Sequence, residues 1–240
     1  MNLLIFLYGL CAYGVFFGWF LYTIGFVANA VVSKTVNTGV ETPVVLAIVI
    51  NILLVAAFGV QHTIMARPAF KRAIMRVIPS AMERSTFVWA AGILAWLIIW
   101  QWRPIPTVLW DLTMYPWSIA LTVISLAGWG LVLLSSFMID HFELFGLRQV
   151  WENLIGHAQT RPAFQLRGPY KFVRHPLMLG FLIAFWVTPY MTVGHLVLAV
   201  SFTVYILVGI RFEEKDLLTH HGEDYKRYQR NVSMLFPGIK

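Results

Sequence analysis

Six apolar stretches, at about residues 3–32, 43–65, 86–102, 116–138, 177–190 and 191–210, take up most of this 240-residue chain. A run of about 20 apolar residues is long enough to cross a hydrocarbon core as a helix. Charged residues make up only 12% of the chain and apolar ones 59%, against about 25% charged in soluble domains. The chain therefore reads as an all-α polytopic membrane protein of five to six membrane segments, with little left for a separate soluble domain.

The net charge of +7 would suit a nucleic-acid binder, but in a membrane protein basic residues first report topology. With a cytoplasmic N-terminus, the inside loops carry Arg67, Lys71, Arg72, Arg76 and Arg84, then Arg148, Arg161, Arg167, Lys171 and Arg174. The tail adds Arg211, Lys215, Lys226, Arg227, Arg230 and Lys240, so 16 of 18 basic residues agree and only Lys34 and Arg103 fall outside. This distribution excludes a nucleic-acid partner and predicts a multi-pass protein of the cytoplasmic (inner) membrane with both termini in the cytoplasm. Trp100, Trp102, Trp110 and Trp117 gather near the outer ends as an aromatic belt. Ala28-Asn29-Ala30 resembles a signal-peptidase site, yet no Lys or Arg precedes the run and it is too long for a signal core; it is expected to stay as the first helix. The single cysteine, Cys11, lies in that run, which rules out an internal disulfide and a cysteine-based zinc site.

Prolines 43, 68, 79, 104, 106 and 116 punctuate a four-helix membrane scaffold, residues 1–138. Gly9, Gly14, Gly18 and Gly25 in its first segment suggest close helix contacts. Residues 139–240 differ. The apolar run 177–190 gives a helix of only about 21 Å at 1.5 Å per residue, short of a core of about 30 Å, and predicts a helical hairpin turning at Thr188-Pro189. The connection 139–176 is too long to be mere spacing. Phe142, Phe145, Val150, Trp151 and Leu154 recur in it at near-helical intervals among Asp140, His141, Glu143 and Arg148, as in a cytoplasmic amphipathic helix.

Charged clusters flank the hairpin: Gly168-Pro169-Tyr170-Lys171-Phe172-Val173-Arg174-His175-Pro176 before it and Arg211-Phe212-Glu213-Glu214 after it. Charges at a bilayer boundary are costly and mark function, so both clusters point to a polar ligand site at one membrane face. Tyr225 and Tyr228, one turn apart on the tail helix, are placed to close it.

Taken together these motifs resemble the membrane methyltransferases related to isoprenylcysteine carboxyl methyltransferase and phosphatidylethanolamine methyltransferase. Their pattern of Arg-His-Pro-x-Tyr-x-Gly, apolar hairpin, Glu-Glu and Gly-x-x-Tyr-x-x-Tyr is met by Arg174 to Gly180, Glu213-Glu214 and Gly222 to Tyr228 over about the last 75 residues. The run Asp140 to Trp151 extends the likeness over most of the chain to the bacterial methanethiol S-methyltransferases, relatives of the NnrU proteins. The resemblance implies methyl transfer from S-adenosylmethionine to methanethiol. It also implies cofactor contacts at Tyr170, His175, Pro176, Leu177, Met178 and Glu213. Two departures stand out: Met178 replaces the family tyrosine, and Gly209 replaces an arginine that the isoprenylcysteine enzymes carry one turn before the first glutamate. Loss of that arginine fits an acceptor without a carboxylate.

The chemistry of such a donor agrees. A sulfonium group seeks carboxylates and aromatic faces, which Glu213, Glu214, Tyr170, Tyr225 and Tyr228 can supply, while its carboxylate end seeks Arg174 or Arg211. The partners expected are a small apolar thiol and membrane lipids. A thiol must lose its proton, and His141, oriented by Asp140 or Glu143, is the expected base; Arg211 is grouped with these catalytic residues. Rival readings are a lipid or isoprenylcysteine acceptor, a haem- or metal-binding protein using His220-His221 with His157 or His62, and a small transporter. No metal-ligand spacing supports the second, and the helices carry few midplane charges for the third.

Overall fold

A computed structural model describes residues 1–158 and 168–238. Along the chain run α1 (Asn2–Ala28), α2 (Val44–Ala66), α3 (Pro68–Ile74), a 3-10 turn (Ser80–Met82) leading into α4 (Glu83–Gln101), β1 (Val108–Asp111), α5 (Trp117–Ile139), α6 (His141–Leu144), α7 (Leu147–Leu154), a second 3-10 turn (Gly168–Lys171), α8 (Pro176–Trp186), β2 (Tyr190–Thr192) and α9 (Val193–Asn231). Among the described residues five helices are long and apolar enough to span a membrane, those of α1, α2, α4, α5 and α9; α8 is not. The protein is an all-α polytopic membrane protein, and the apolar side chains it leaves outside, such as Leu3, Leu7, Leu10 and Leu21 on α1, face where lipid would lie. Arg161, Arg167 and Lys240, used above for the topology, lie outside the described residues.

Local chemistry sets the boundaries. Asn29 takes the left-handed conformation (φ 55°) that ends α1, as short polar residues can at a helix end. Pro68 and Pro176 open α3 and α8, where a missing N–H forfeits no helical bond. Thr192 caps α9 by accepting the amide of His195 at 3.2 Å, the usual use of a threonine before a helix.

The chain divides into two compact units. The first holds Met1–Ile105 and residues 140–158. Here α1 and α4 are tied by indole donors: Trp89 Nε1 donates to the Tyr8 carbonyl at 3.2 Å and Trp96 Nε1 to that of Val15 at 3.0 Å. At Gly9 the chain admits no side chain, because a Cβ would sit 2.6 Å from Val150 of α7. Gly14 has nothing within 4 Å, whereas a Cβ at Gly25 would fall 2.7 Å from the Ala30 carbonyl, so the glycine row is tight at its two ends and not throughout. The amphipathic connection forms two short helices rather than one, broken at Gly146 (φ 85°), with Val150 buried and Trp151 exposed. Trp102 departs from the expected belt. Because α4 ends at Gln101, Trp102 turns inward, fully buried and edge-on to Phe26 with ring centroids 6.3 Å apart, whereas Trp100 and Trp117 remain exposed.

The second unit holds Pro106–Ile139 and residues 168–238. Gly128 of α5 and Gly180 of α8 lie face to face, so that a Cβ on Gly180 would fall 2.7 Å from the Gly128 carbonyl. The sequence predicts a plain helical hairpin turning at Thr188-Pro189; instead Tyr190–Thr192, just past that turn, pairs antiparallel with Val108–Asp111, Asp111 opposite Tyr190 and Val108 opposite Thr192. Strands of three and four residues are too short for alternation to show in a sequence otherwise apolar on both faces.

Candidate functional site

The polar segment before α8 is built as a fixed strap. Val173 bridges to Ser233, the Arg174 amide donates to the Ser233 carbonyl at 2.8 Å, and the His175 amide to that of Met234 at 3.1 Å. Pro176 then starts α8 with His175 as the residue just outside the helix. On the other flank α9 is interrupted at Gly222 (φ 53°, ψ −123°), a conformation open chiefly to glycine. Fifteen residues of unbroken helix would carry Gln229 about 22 Å from Glu214; instead Gln229 Nε2 donates to Glu214 Oε2 at 3.0 Å. The break therefore brings the tail helix back onto the carboxylates.

Glu214 is the hub. Its Oε1 accepts Arg174 Nε at 2.7 Å, His175 Nε2 at 3.1 Å and the Tyr225 hydroxyl at 3.4 Å. Arg174 also donates from Nη1 to the carbonyls of Gln229 at 3.2 Å and Val232 at 2.5 Å, which straps the segment to the tail. The Tyr228 hydroxyl donates to the Tyr170 carbonyl at 2.6 Å. Side-chain exposures are only 4% for His175, 11% for Arg174 and 16% for Glu214, so these charges persist because each is paired. Glu213 differs: its side chain is 49% exposed, and Oε2 lies 3.5 Å from His175 Nδ1.

The imidazole of His175 is thus bracketed by two carboxylates. Burial alone would lower its pKa, but hydrogen bonds and charge from Glu213 and Glu214 outweigh that and raise it to about 8. The imidazolium is the prevailing form at neutral pH. Burial, reinforced by nearby carboxylates, pushes the hydroxyls of Tyr170 and Tyr225 up from their ordinary value, and Tyr228 to about 12. All three phenols stay neutral.

Beside the charges stands an apolar wall of Leu182, Ile206, Ile210 and Leu235, with Met178, Tyr205 and Met234 packed on it. Tyr205, Gly209 and Glu213 recur at four-residue steps and share one face of α9. A Cβ at Gly209 would meet nothing within 4 Å, so open space lies along that face.

Several relatives of the chain share a name. A Bradyrhizobium diazoefficiens protein, methanethiol S-methyltransferase 1, is 50% identical over 232 residues, covering 97% of this chain and 81% of its own. The methanethiol S-methyltransferase of Mycobacterium tuberculosis is 48% identical over 231 residues, 96% of this chain and 95% of its own. A second B. diazoefficiens protein, methanethiol S-methyltransferase 2, is 46% identical over 239 residues, 99% of this chain and 92% of its own. The chain belongs to the methanethiol S-methyltransferase family. No family model and no solved structure matches it.

In this methanethiol S-methyltransferase family member the sequence-predicted residues fall into two groups. Tyr170, Arg174, His175, Glu213, Glu214, Tyr225 and Tyr228 meet in the second unit, with Pro176, Leu177 and Met178 opening α8 beside them. Arg211 lies exposed on α9. Asp140, His141 and Glu143 belong to the first unit. There His141 is buried, its Nε2 2.9 Å from the Tyr13 hydroxyl and its ring edge-on to Phe145 at 4.9 Å. Burial lowers its pKa, against an opposing pull from Asp140. The oxygens of Asp140 go elsewhere, to the Glu143 amide at 3.1 Å and Arg148 at 2.6 Å, so Tyr13 fixes the ring and Asp140 acts through its charge.

Sequence reasoning missed Gln229, Tyr205 and Tyr13. Gln229 had a signal, since it follows Tyr225 by one helical turn. Tyr13 had none, being 128 residues from His141. Of the histidines in the metal reading, His62 packs edge-on to Phe87 at 4.7 Å and His220 bonds the Asp216 carbonyl at 2.8 Å. Among the described residues no three His, Cys, Asp or Glu side chains gather as a metal set.

Proposed function

We propose that this protein transfers the methyl group of S-adenosylmethionine to methanethiol, giving dimethyl sulfide and S-adenosylhomocysteine. The observation that carries the reading is the division of labour between adjacent carboxylates: Glu214 is occupied by Arg174, His175, Tyr225 and Gln229, while Glu213 stands half-exposed beside the same imidazole. S-adenosylmethionine supplies an electrophilic methyl on a sulfonium, a cation suited to a carboxylate and aromatic rings. Glu213 fits that need, with Tyr170 and Tyr205 both within reach of its charge. The relatives named for methanethiol support that acceptor.

In-line methyl transfer asks the protein for positioning and exclusion of water. Arg174 and Glu214 hold the strap, and His175 presents its imidazolium alongside Glu213. Arg211, exposed and without an ion pair among the described residues, is the cation for a carboxylate end. Met178, Tyr205 and Met234 form a soft apolar lining suited to a small thiol, and the bare Gly209 leaves no cation for an acidic acceptor. His141 takes the thiol proton, since its lowered pKa keeps it neutral at pH 7. The site faces the cytoplasm and both termini lie there, with residues 1–138 as scaffold and 139–240 as the cofactor and catalytic region.

The test is headspace gas chromatography of detergent-purified protein given S-adenosylmethionine and methanethiol, with hydrogen sulfide, larger thiols and a prenylcysteine analogue in parallel. Dimethyl sulfide from the wild type, lost in Glu213→Gln and His175→Ala, is expected. Methylation of the prenylcysteine analogue alone would overturn the acceptor; no product with any acceptor would overturn the reaction.

A further inference from the structure

The positive-inside distribution leaves two exceptions, Lys34 and Arg103, and in the first unit they come together. Lys34 Nζ donates to the carbonyl of Trp102 at 3.1 Å, the residue next to Arg103. The guanidinium is anchored from its backbone: buried Asn51 of α2 donates to the Arg103 carbonyl at 2.8 Å and accepts the Arg103 amide at 2.9 Å. Arg103 Nη2 donates to Gln101 Oε1 at 3.2 Å, but its buried Nε has no hydrogen-bond partner among the described residues. Neither cation forms an ion pair among the described residues. Burial, and then the charge of Arg103, lower the Lys34 pKa, as expected for like charges held close without a counter-ion.

Beside Lys34 opens an apolar cleft of about 700 Å³ between α1 and α4, walled by Val15, Ile93, Trp96 and Trp100 and ended by Tyr22 and Lys34, with Arg103 behind Lys34 and not in the wall. Ile93 and Trp100 are largely exposed, at 58% and 70%, so the cleft opens on the side where lipid chains run. The Tyr22 hydroxyl accepts the Lys34 amide at 3.1 Å, which fixes the cation at the cleft's end. The volume falls within the range of about 300–1,000 Å³ usual for small-ligand sites.

We propose that this cleft is a binding site for an anionic phospholipid, its acyl chain lying along Trp96 and its phosphate meeting Lys34, with the charge of Arg103 adding to the attraction. Two cations lacking a protein counter-ion need an anion from outside, and an aliphatic chain is the occupant that the cleft wall accepts. A zwitterionic lipid offers the same chain but brings a cation with its phosphate, so charge complementarity selects the anionic headgroup. The site lies outside the His175 cluster, and its occupancy does not depend on which methyl acceptor is used.

Native mass spectrometry of the detergent-purified full chain tests it, with phosphatidylglycerol and phosphatidylcholine of equal chain length offered together and sn-glycerol 3-phosphate offered alone. The wild type is expected to retain phosphatidylglycerol at least fivefold over phosphatidylcholine and to hold no glycerol phosphate. Lys34→Gln and Arg103→Gln should each bring the lipid ratio towards one, and Lys34→Arg should keep it. Equal retention of both lipids by the wild type, a ratio unchanged in both Gln variants, or retention of glycerol phosphate without lipid would each overturn the proposal. The wild-type comparison decides even where a variant fails to fold.

Discussion

His175 Nε2 lies 3.1 Å from Glu214 Oε1, an oxygen that also accepts Arg174 Nε at 2.7 Å. One carboxylate therefore holds two cationic side chains on the strap before α8, and Tyr225 and Gln229 reach it from beyond the Gly222 break. Removing its charge leaves the buried Arg174 and His175 facing each other. Glu214→Gln is expected to lower stability by about 3–5 kcal/mol, the cost of breaking a buried pair. Glu213→Gln touches a half-exposed group that shares with Glu214 in holding the His175 imidazolium, and it should cost less than Glu214→Gln, no more than about 2 kcal/mol. Thermal unfolding of both variants in one detergent, with S-adenosylmethionine binding by calorimetry, separates the roles. A drop in melting temperature for Glu214→Gln, and loss of binding with a smaller drop for Glu213→Gln, are the expected pair of results.

Protonation of His175 gives the cluster a pH limit. Its pKa is raised in the folded protein to about 8, burial being outweighed by Glu213 and Glu214, against about 6.5 in an unfolded chain. The stabilisation is fully present below about pH 6.5 and is lost as pH rises through about 8. Its size is about 2 kcal/mol, at 1.36 kcal/mol for each pKa unit. Melting temperature measured from pH 6 to pH 9 should fall for the wild type across this window relative to His175→Gln. Parallel curves would remove the imidazolium from the cluster.

For the base, the expected signature is kinetic. His141→Ala should lower kcat by about a hundredfold or more, the range for a lost general base, with affinity for S-adenosylmethionine unchanged. Tyr13→Phe removes the hydroxyl 2.9 Å from Nε2 and should lower kcat less, while raising the acidic limb of the pH profile little. Equal loss of cofactor affinity in His141→Ala would make it a residue of the donor site or of the fold.

How far these relationships could be read in advance depended on how local they are. Helices α1, α2, α4 and α5 announce themselves because a span needs a contiguous apolar run, and Pro43, Pro68 and Pro176 mark entries by chain chemistry alone. The cluster was legible as a set, since Arg174-His175 and Glu213-Glu214 each concentrate charge at the edge of an apolar run. The different parts taken by Glu213 and Glu214 were not, because adjacent helical residues differ by about 100° in direction and which one meets Arg174 depends on how α8 and α9 pack. Trp102 looked like a belt residue until the end of α4 at Gln101 turned it inward. Tyr13 and His141 are joined by packing alone, which no local pattern reports.

The break in α9 supplies the last test. A Cβ on Gly222 would meet nothing within 4 Å, so the room for alanine is there and only the backbone resists. At φ 53° and ψ −123° an L-residue pays strain of about 1–3 kcal/mol, which straightening the helix would relieve. Straightening, however, carries Tyr225 and Gln229 away from Glu214 and exposes Arg174 and His175 to water. Gly222→Ala should therefore lower the melting temperature as Glu214→Gln does, and also weaken S-adenosylmethionine binding, although the new methyl group touches neither residue. Hydrogen exchange over residues 223–231 checks the route: the variant should exchange faster there while α1 and α4 stay protected. Unchanged exchange with unchanged binding would mean that the fold back onto Glu214 survives a side chain at the break.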